Sequence, residues 1–335
     1  MGNSRLTTPP LPGPKGQIVH PAASQEGVSG RLGMIVSGMA VEVSGSFLKT
    51  ARLSEEWYED LEDPQAFVAQ MKRSGIKADL FTFWQRLPRT EPRHGYATEP
   101  ETIAVLPVTT YEHWYKSQIN NKTRNLLVKA GKKGVVVRES SFDDAFVEGI
   151  TAIFNETPIR QERRFAHYGK SVATVRREFS RFLFRETLLG AYLGDELVGF
   201  IMLADAGRYA TLTQIISLVR HRDKSPNNAL IAKAVEVCAE RQVKQLVYAL
   251  WPRGPLREFK RHNGFEPVAL PRYYVPLTYK GRLALDLKLH RGPFERLPEE
   301  AITFLRDLRS KFYGYRYKSA FGALNKKPAS PEQSS

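Results

Sequence analysis

The chain has 335 residues, 42% of them hydrophobic, which suffices for one large packed domain or two ordinary ones. Its 50 Lys and Arg against 35 Asp and Glu leave a net charge of +15, a balance that favours nucleic acid, anionic lipid or phosphorylated substrates. No apolar run reaches membrane-span length, no signal-peptide pattern opens the chain, and the single Cys238 cannot form an internal disulfide, so the expected setting is a reducing cytoplasm.

Residues 1–30 are rich in Pro, Gly and Ser without periodicity and read as a disordered arm. Met1-Gly2 does not begin a myristoylation signal, because position 6 is Leu rather than Ser or Thr. Strands are expected at 34–37, 46–53, 80–84 and 103–108, and a helix from Asp63 or Pro64 carrying Phe67, Val68 and Met71. Thr109 or Thr110 caps a long basic helix to about Ala130, with Lys116, Lys122, Arg124, Lys129, Lys132 and Lys133 on or beyond it. Its bases and aromatics could meet nucleotides or an anionic membrane, or could simply flank a packing stripe. A short strand at 134–138 precedes an amphipathic helix whose Phe142, Phe146, Ile150 and Ile153 share one stripe.

Residues 155–170 read Asn-Glu-Thr-Pro-Ile-Arg-Gln-Glu-Arg-Arg-Phe-Ala-His-Tyr-Gly-Lys, and Pro158 and Gly169 argue for a loop. Glu156 and His167 are candidate general bases, and Arg160, Arg163, Arg164 and Tyr168 candidate contacts for an acidic or phosphorylated acceptor. The plain alternative is a solvated charged surface. A helix over 172–184 leads to a hairpin of 188–193 and 197–203 turned at Gly194-Asp195, then a buried strand over 209–217.

Arg220-His-Arg-Asp-Lys-Ser-Pro-Asn-Asn228 opens a helix to about Arg241, with Ser225 as N-cap and Pro226 at the first helical position. The amides of Asn227, Asn228 and Ala229 should then lack intrahelical acceptors, and with Arg220, Arg222 and Lys224 nearby they form a candidate phosphate site. A strand over 245–250, a short helix over 255–263, Gly264 and a strand over 267–277 follow. One helix joining strands 209–217 and 245–250 makes them parallel, so the expected architecture is a mixed α/β sheet with helices on both faces.

That order, with Ser225-Pro-Asn-Asn-Ala-Leu230 and Phe259-Lys-Arg-His-Asn-Gly-Phe265, resembles the GNAT acyltransferase superfamily over residues 110–278, and most closely its FemAB-like branch. That branch includes peptidoglycan-bridge aminoacyltransferases and polysaccharide-cluster acyltransferases. Residues 33–109 look like a degenerate first lobe. The resemblance divides the chain into an arm (1–30), the degenerate lobe (31–135), the GNAT-like domain (136–280), a basic helical extension (281–322) and a disordered tail (323–335). It implies a thioester or ester paired with the exposed strand at Thr213–Ser217, including Gln214, Ile215 and Ile216. It places the donor's phosphates on Arg222, Lys224, Ser225, Asn227, Asn228 and Ala229.

The superfamily's usual Gln/Arg-x-x-Gly-x-Gly/Ala loop is Lys224-Ser-Pro-Asn-Asn-Ala here, without glycine, which weighs against acyl-CoA and leaves room for an aminoacyl-tRNA donor. Lys260 stands where the superfamily usually has a tyrosine acid. It reads either as an oxyanion or phosphate contact or as a solvated lysine, and Tyr248 as an acceptor contact or a core residue. The implied activity is transfer of an acyl or aminoacyl group, from acyl-CoA or tRNA, to an amine or hydroxyl of a polar or cell-envelope acceptor by direct attack. No metal spacing is present. The setting is cytoplasm, with peripheral contact at an anionic inner membrane face. The alternative is a non-catalytic protein of the same fold that binds nucleic acid or lipid.

Overall fold

The computed structural model describes residues 34–56, 61–160, 163–180, 183–252 and 254–291. The expected arm, the tail and most of the 281–322 extension lie outside them. The described elements are β1 (Met34–Val36), β2 (Met39–Ser44), β3 (Thr50–Leu53), α1 (Pro64–Arg73), β4 (Leu80–Trp84), β5 (Ala97–Pro107), α2 (Tyr111–His113), α3 (Asn121–Lys132), β6 (Val135–Ser140), α4 (Asp144–Asn155), β7 (Ile159–Arg160), β8 (Arg163–Arg164), α5 (Val172–Phe179), β9 (Glu186–Leu193), β10 (Glu196–Asp205), β11 (Ala210–Ser217), α6 (Pro226–Glu240), β12 (Gln245–Leu250), α7 (Pro255–His262), β13 (Glu266–Pro276) and α8 (Tyr279–Asp286).

Eleven strands form one sheet in the order β1-β2-β3-β4-β13-β5-β12-β11-β10-β9-β6, and β7 and β8 make a separate small hairpin. Only β3/β4 and β11/β12 are parallel within it. The order repeats itself about its middle. Read inward, β1-β2-β3-β4 and β9-β10-β11-β12 have the same arrangement, an antiparallel meander followed by one parallel crossover through α1 or α6. The strand after each crossover unit is exchanged: β5 follows β4 in sequence but pairs with β12, and β13 follows β12 but pairs with β4. This exchange makes the sheet continuous.

β10 reads as an unbroken apolar run, Leu197 to Ala204, because both of its faces are covered, by α4 on one side and α6 on the other. The stripe expected on α4 is the one found, with Phe146, Ile150 and Ile153 all buried. Other readings needed correction. The β1–β2 hairpin was not anticipated; its two-residue turn puts both Ser37 and Gly38 at positive φ, 50° and 79°, which an Asn-Gly pair would have signalled better. The strand expected over 46–53 shortens to β3. The long basic helix is broken. A π-helical turn, Trp114–Gln118, ends at the extended Ile119, and Asn120 starts α3 afresh by accepting from Thr123 N at 2.9 Å. Arg124 seals the break, its guanidinium bonding the carbonyls of Tyr115, Lys116 and Ile119.

Candidate active site

β11 and β12 are paired only at Ala210↔Leu246 and Thr211↔Val247. Beyond those pairs the strands part, while β11 stays on β10 as far as Ser217↔Gly199. The edge of β11 from Thr213 to Ser217 therefore has no strand partner on its β12 side. A bulge sits at the parting: Met202 faces Gln214 and Leu203 faces Leu212, leaving Thr213 as the extra residue. Its hydroxyl lies 3.1 Å from the Met202 carbonyl and 3.0 Å from Glu186 Oε1. Gln214, Ile215 and Ile216 lie along this stretch and are half-buried, where a fully buried strand was expected.

β12 is irregular on the other side of the gap. Its pairing with β5 shifts between Val247 and Leu250, and Ala249 has a φ of 48°. Carbonyls turned out of the ladder by this bulge are taken by Lys260, whose Nζ donates to Leu250 O at 2.7 Å and also to Tyr248 O. The same Nζ lies 4.0 Å from the Tyr248 ring centroid. Lys260 is 1% exposed, so it is not a solvated lysine, and its ammonium faces backbone rather than an incoming donor. It holds the shape of β12 at the gap. Tyr248 packs its ring 5.7 Å from Phe265, and burial pushes its phenol pKa up, so the hydroxyl stays protonated.

The start of α6 corrects the expected anion cradle. A 3-10 turn, Val219–Lys224, leads into Ser225, which adopts the left-handed conformation at φ 57° and makes no side-chain cap. Its carbonyl instead accepts from Asn228 N at 3.1 Å and Ala229 N at 3.3 Å. Of the three amides expected to be free, only that of Asn227 keeps no acceptor. The Asn228 side chain is buried and donates to Asn263 Oδ1 at 3.2 Å, tying α6 to the end of α7. Asn227 Oδ1 is buried without a partner.

Of the bases on the turn, Lys224 donates to His221 Nδ1 at 2.9 Å, and His221 Nε2 meets Glu196 at 3.1 Å. Arg220 is ion-paired to the same Glu196. Arg222 alone is exposed with no ion pair among the described residues.

Glu156 is not placed to act as a base. Its carboxylate accepts from Val219 N and Arg220 N, at 2.5 and 2.9 Å, capping the 3-10 turn, and from Arg160 at 3.2 Å. Arg160 in turn donates to Ser217 O at 2.7 Å and Ile153 O at 2.8 Å, and lies over the Phe165 ring. Burial lowers the pKa of this guanidinium, and the Glu156 charge opposes that shift. The pair clasps the end of α4 to the end of β11 rather than contacting an acceptor. Arg164 and Tyr168 are exposed near it. Arg163 pairs with Arg160 through backbone in the β7–β8 hairpin, which replaces the expected loop, and its side chain lies outside the described residues.

His167 is also committed elsewhere. Its ring stacks on Phe154 at 4.4 Å and 15°, with Phe165 and Phe179 around it, and Lys170 Nζ donates to its Nδ1 at 3.0 Å. Burial and the Lys170 charge depress its pKa from 6.5 to about 4. The nitrogen a base would use is thus occupied. The unfolded chain takes up this proton near pH 6.5 and the fold only near pH 4, so the neutral ring's contribution to stability is full above 6.5 and is lost as pH falls towards 4. The loss is at most about 3 kcal/mol, reduced by solvent reaching the ring. In His167→Phe the fall in denaturant midpoint between pH 7 and pH 4 should be smaller than in the parent; an unchanged slope would contradict the buried neutral imidazole.

Burial also pushes the Cys238 thiol up to about 12, so no thiolate nucleophile exists there at neutral pH. Sequence reasoning gave no role to Glu196, His221 or Asn263 and no bulge to Thr213. Two grooves of about 370 and 580 Å³ share Glu186 and Thr187, at the start of β9, where Glu186 reaches the Thr213 hydroxyl at the bulge.

No family model and no curated protein matches the sequence. Solved structures do match. FemX aligns at 10% identity with a TM-score of 0.51, over 76% of this chain and 89% of FemX. L-PGS from Bacillus licheniformis aligns at 12% identity and 0.50, over 78% and 90%. A C-terminal domain assigned to a lysylphosphatidylglycerol synthetase of Agrobacterium fabrum aligns at 14% and 0.50, over 76% and 87%. The mixed sheet, with its parted parallel pair β11/β12, the helix α6 between those strands and the exchanged β5 and β13 at its middle, therefore has a GNAT-like fold, the overall fold it shares with FemX and these synthetase structures.

Proposed function

We propose that the chain transfers an aminoacyl group from an aminoacyl-tRNA ester to an amine or hydroxyl of a polar or cell-envelope acceptor, in the cytoplasm or at the inner membrane face. The observation that carries this reading is the unpaired edge of β11, Thr213 to Ser217, opened by bulges on both flanking strands. A carbonyl lying in that gap can accept from backbone amides, which stabilise the oxyanion formed when the acceptor attacks. With Glu156 and His167 committed to packing and capping, catalysis rests on positioning and on that oxyanion contact, within a ternary complex.

The start of α6 favours the ester donor over acyl-CoA. A diphosphate cradle needs free amides and close backbone approach, and here the Asn228 amide is bonded to Ser225 O and the turn carries no glycine. One amide and the unpaired Arg222 suit a single phosphate. The test is a calorimetric titration with a short RNA carrying an amide-linked aminoacyl group at its 3′ end, beside acetyl-CoA. The RNA should bind stoichiometrically and lose at least tenfold in affinity in Arg222→Glu, and acetyl-CoA should not bind. Stoichiometric acetyl-CoA binding would transfer the reading to a CoA donor. Binding of neither ligand would sink the transferase reading in favour of a non-catalytic protein.

A further inference from the structure

From His113 to Arg138 the sequence holds no acidic residue, while it holds seven Lys and Arg. Some surface cations elsewhere are paired, as Arg176 is with Asp144 and Arg241 with Glu139, and among the described residues the unpaired ones are not grouped on one helix face with no acid among them. Within this stretch Lys116 pairs with Glu112, Arg124 caps the π-helical turn, and Arg138 lies over the Tyr192 ring. Lys122, Lys129, Lys132 and Lys133 do none of this; all four are exposed and make no ion pair among the described residues. Spacings of seven and four residues put Lys122, Lys129 and Lys133 on one line of α3. The line is about 16 Å long at ~1.5 Å per residue.

Its place is as informative as its charge. Thr123 at the start of α3 donates to His262 O at 2.9 Å, at the end of α7, where Asn263 meets Asn228 of α6. α3 packs on α6 and touches the 3-10 turn that carries Arg222. The ridge thus starts beside the parted strands and leads away from them. We propose that this lysine ridge is a docking surface for the phosphate backbone of a structured RNA whose end enters the gap between β11 and β12. The proposal rests on the aminoacyl-RNA reading of the donor.

A membrane is the other polyanion of this size, and α3 is poorly made for one. A helix lying in a lipid interface buries an apolar face. On α3 the half-buried Leu126 and Leu127 and the buried Ala130 already face the protein, and Val128 is its only exposed large apolar residue, off the lysine line. A row of lysines without an apolar partner face suits phosphates, which release counterions one by one on contact.

The experiment is fluorescence anisotropy of labelled unfractionated tRNA with the full chain, from about 50 to 200 mM salt. The variant is Lys122→Glu/Lys129→Glu/Lys133→Glu. The control is Lys72→Glu/Lys77→Glu/Lys244→Glu, which changes net charge equally through exposed lysines elsewhere. The ridge variant should lose at least tenfold in affinity and show a shallower salt slope, with the control within about threefold of the parent. Equal losses in both would mean diffuse charge and overturn the ridge. So would undiminished tRNA binding by the ridge variant, or a parent that binds phosphatidylglycerol vesicles through these lysines but not tRNA. The short aminoacyl-RNA of the donor test does not reach the ridge, so if it binds while the tRNA arm fails, the donor reading stands and the ridge falls alone.

Discussion

Lys260→Met should lower stability by about 3 kcal/mol and abolish transfer at temperatures where the variant remains folded. Methionine keeps the aliphatic stem but leaves the carbonyls of Tyr248 and Leu250 without their donor, and each buried unpaired carbonyl costs roughly 1–3 kcal/mol. The positive φ of Ala249 sits between those two carbonyls and relies on the same clasp. Burial pulls the lysine down from 10.5 to about 8. Below pH 8 both folded and unfolded chains carry the proton. Between about 8 and 10.5 the fold releases it while the unfolded chain holds it, so stability should rise with pH over that window. The neutral amine still has two N–H groups for two carbonyls, so the clasp survives deprotonation. Urea unfolding between pH 7 and 10.5 checks both parts. A variant with the parent's midpoint and the same rise at high pH would contradict the role assigned to Lys260.

Glu156→Ala should unfold the clasp between α4 and β11, at a cost of about 3–5 kcal/mol, because it strands a largely buried Arg160 and two capping amides. Glu156→Gln keeps an acceptor and should cost roughly half as much or less. Denaturation midpoints of both variants, read beside transfer rates, separate the two possible jobs of this carboxylate. A Glu156→Ala protein that is as stable as the parent but does not turn over would restore Glu156 as the general base and contradict its place as a cap.

Much of the architecture could be read locally. The apolar stripe of α4, the Gly194 hairpin and Pro226 at the first turn of α6 each follow from spacing or from one residue's backbone preference, and each is found where expected. The parallel β11/β12 pair followed from one intervening helix. What escaped the sequence is what depends on distant partners. The exchange of β5 and β13 joins segments more than 150 residues apart, and no local pattern distinguishes it from two separate sheets. Glu156 meets amides 63 and 64 residues away, so it looked like a free acid in a charged loop. Lys260 lies in Leu-Arg-Glu-Phe-Lys-Arg-His, which reads as a solvated basic helix; only the bulge in β12 creates the carbonyls that draw it inside. At Ser225, the N-cap reading had counted the Asn228 and Ala229 amides as free, although the carbonyl of an N-cap residue takes the first intrahelical bond, as it does here.

The most direct measurement is hydrogen–deuterium exchange of the full chain with and without the short RNA bearing an amide-linked aminoacyl group. Slowed exchange is expected at amides within Thr213–Ser217 and at Asn227 with the RNA, and none at β11 with acetyl-CoA. An unchanged β11 edge under saturating RNA would contradict the gap between β11 and β12 as the place where the acyl group is held.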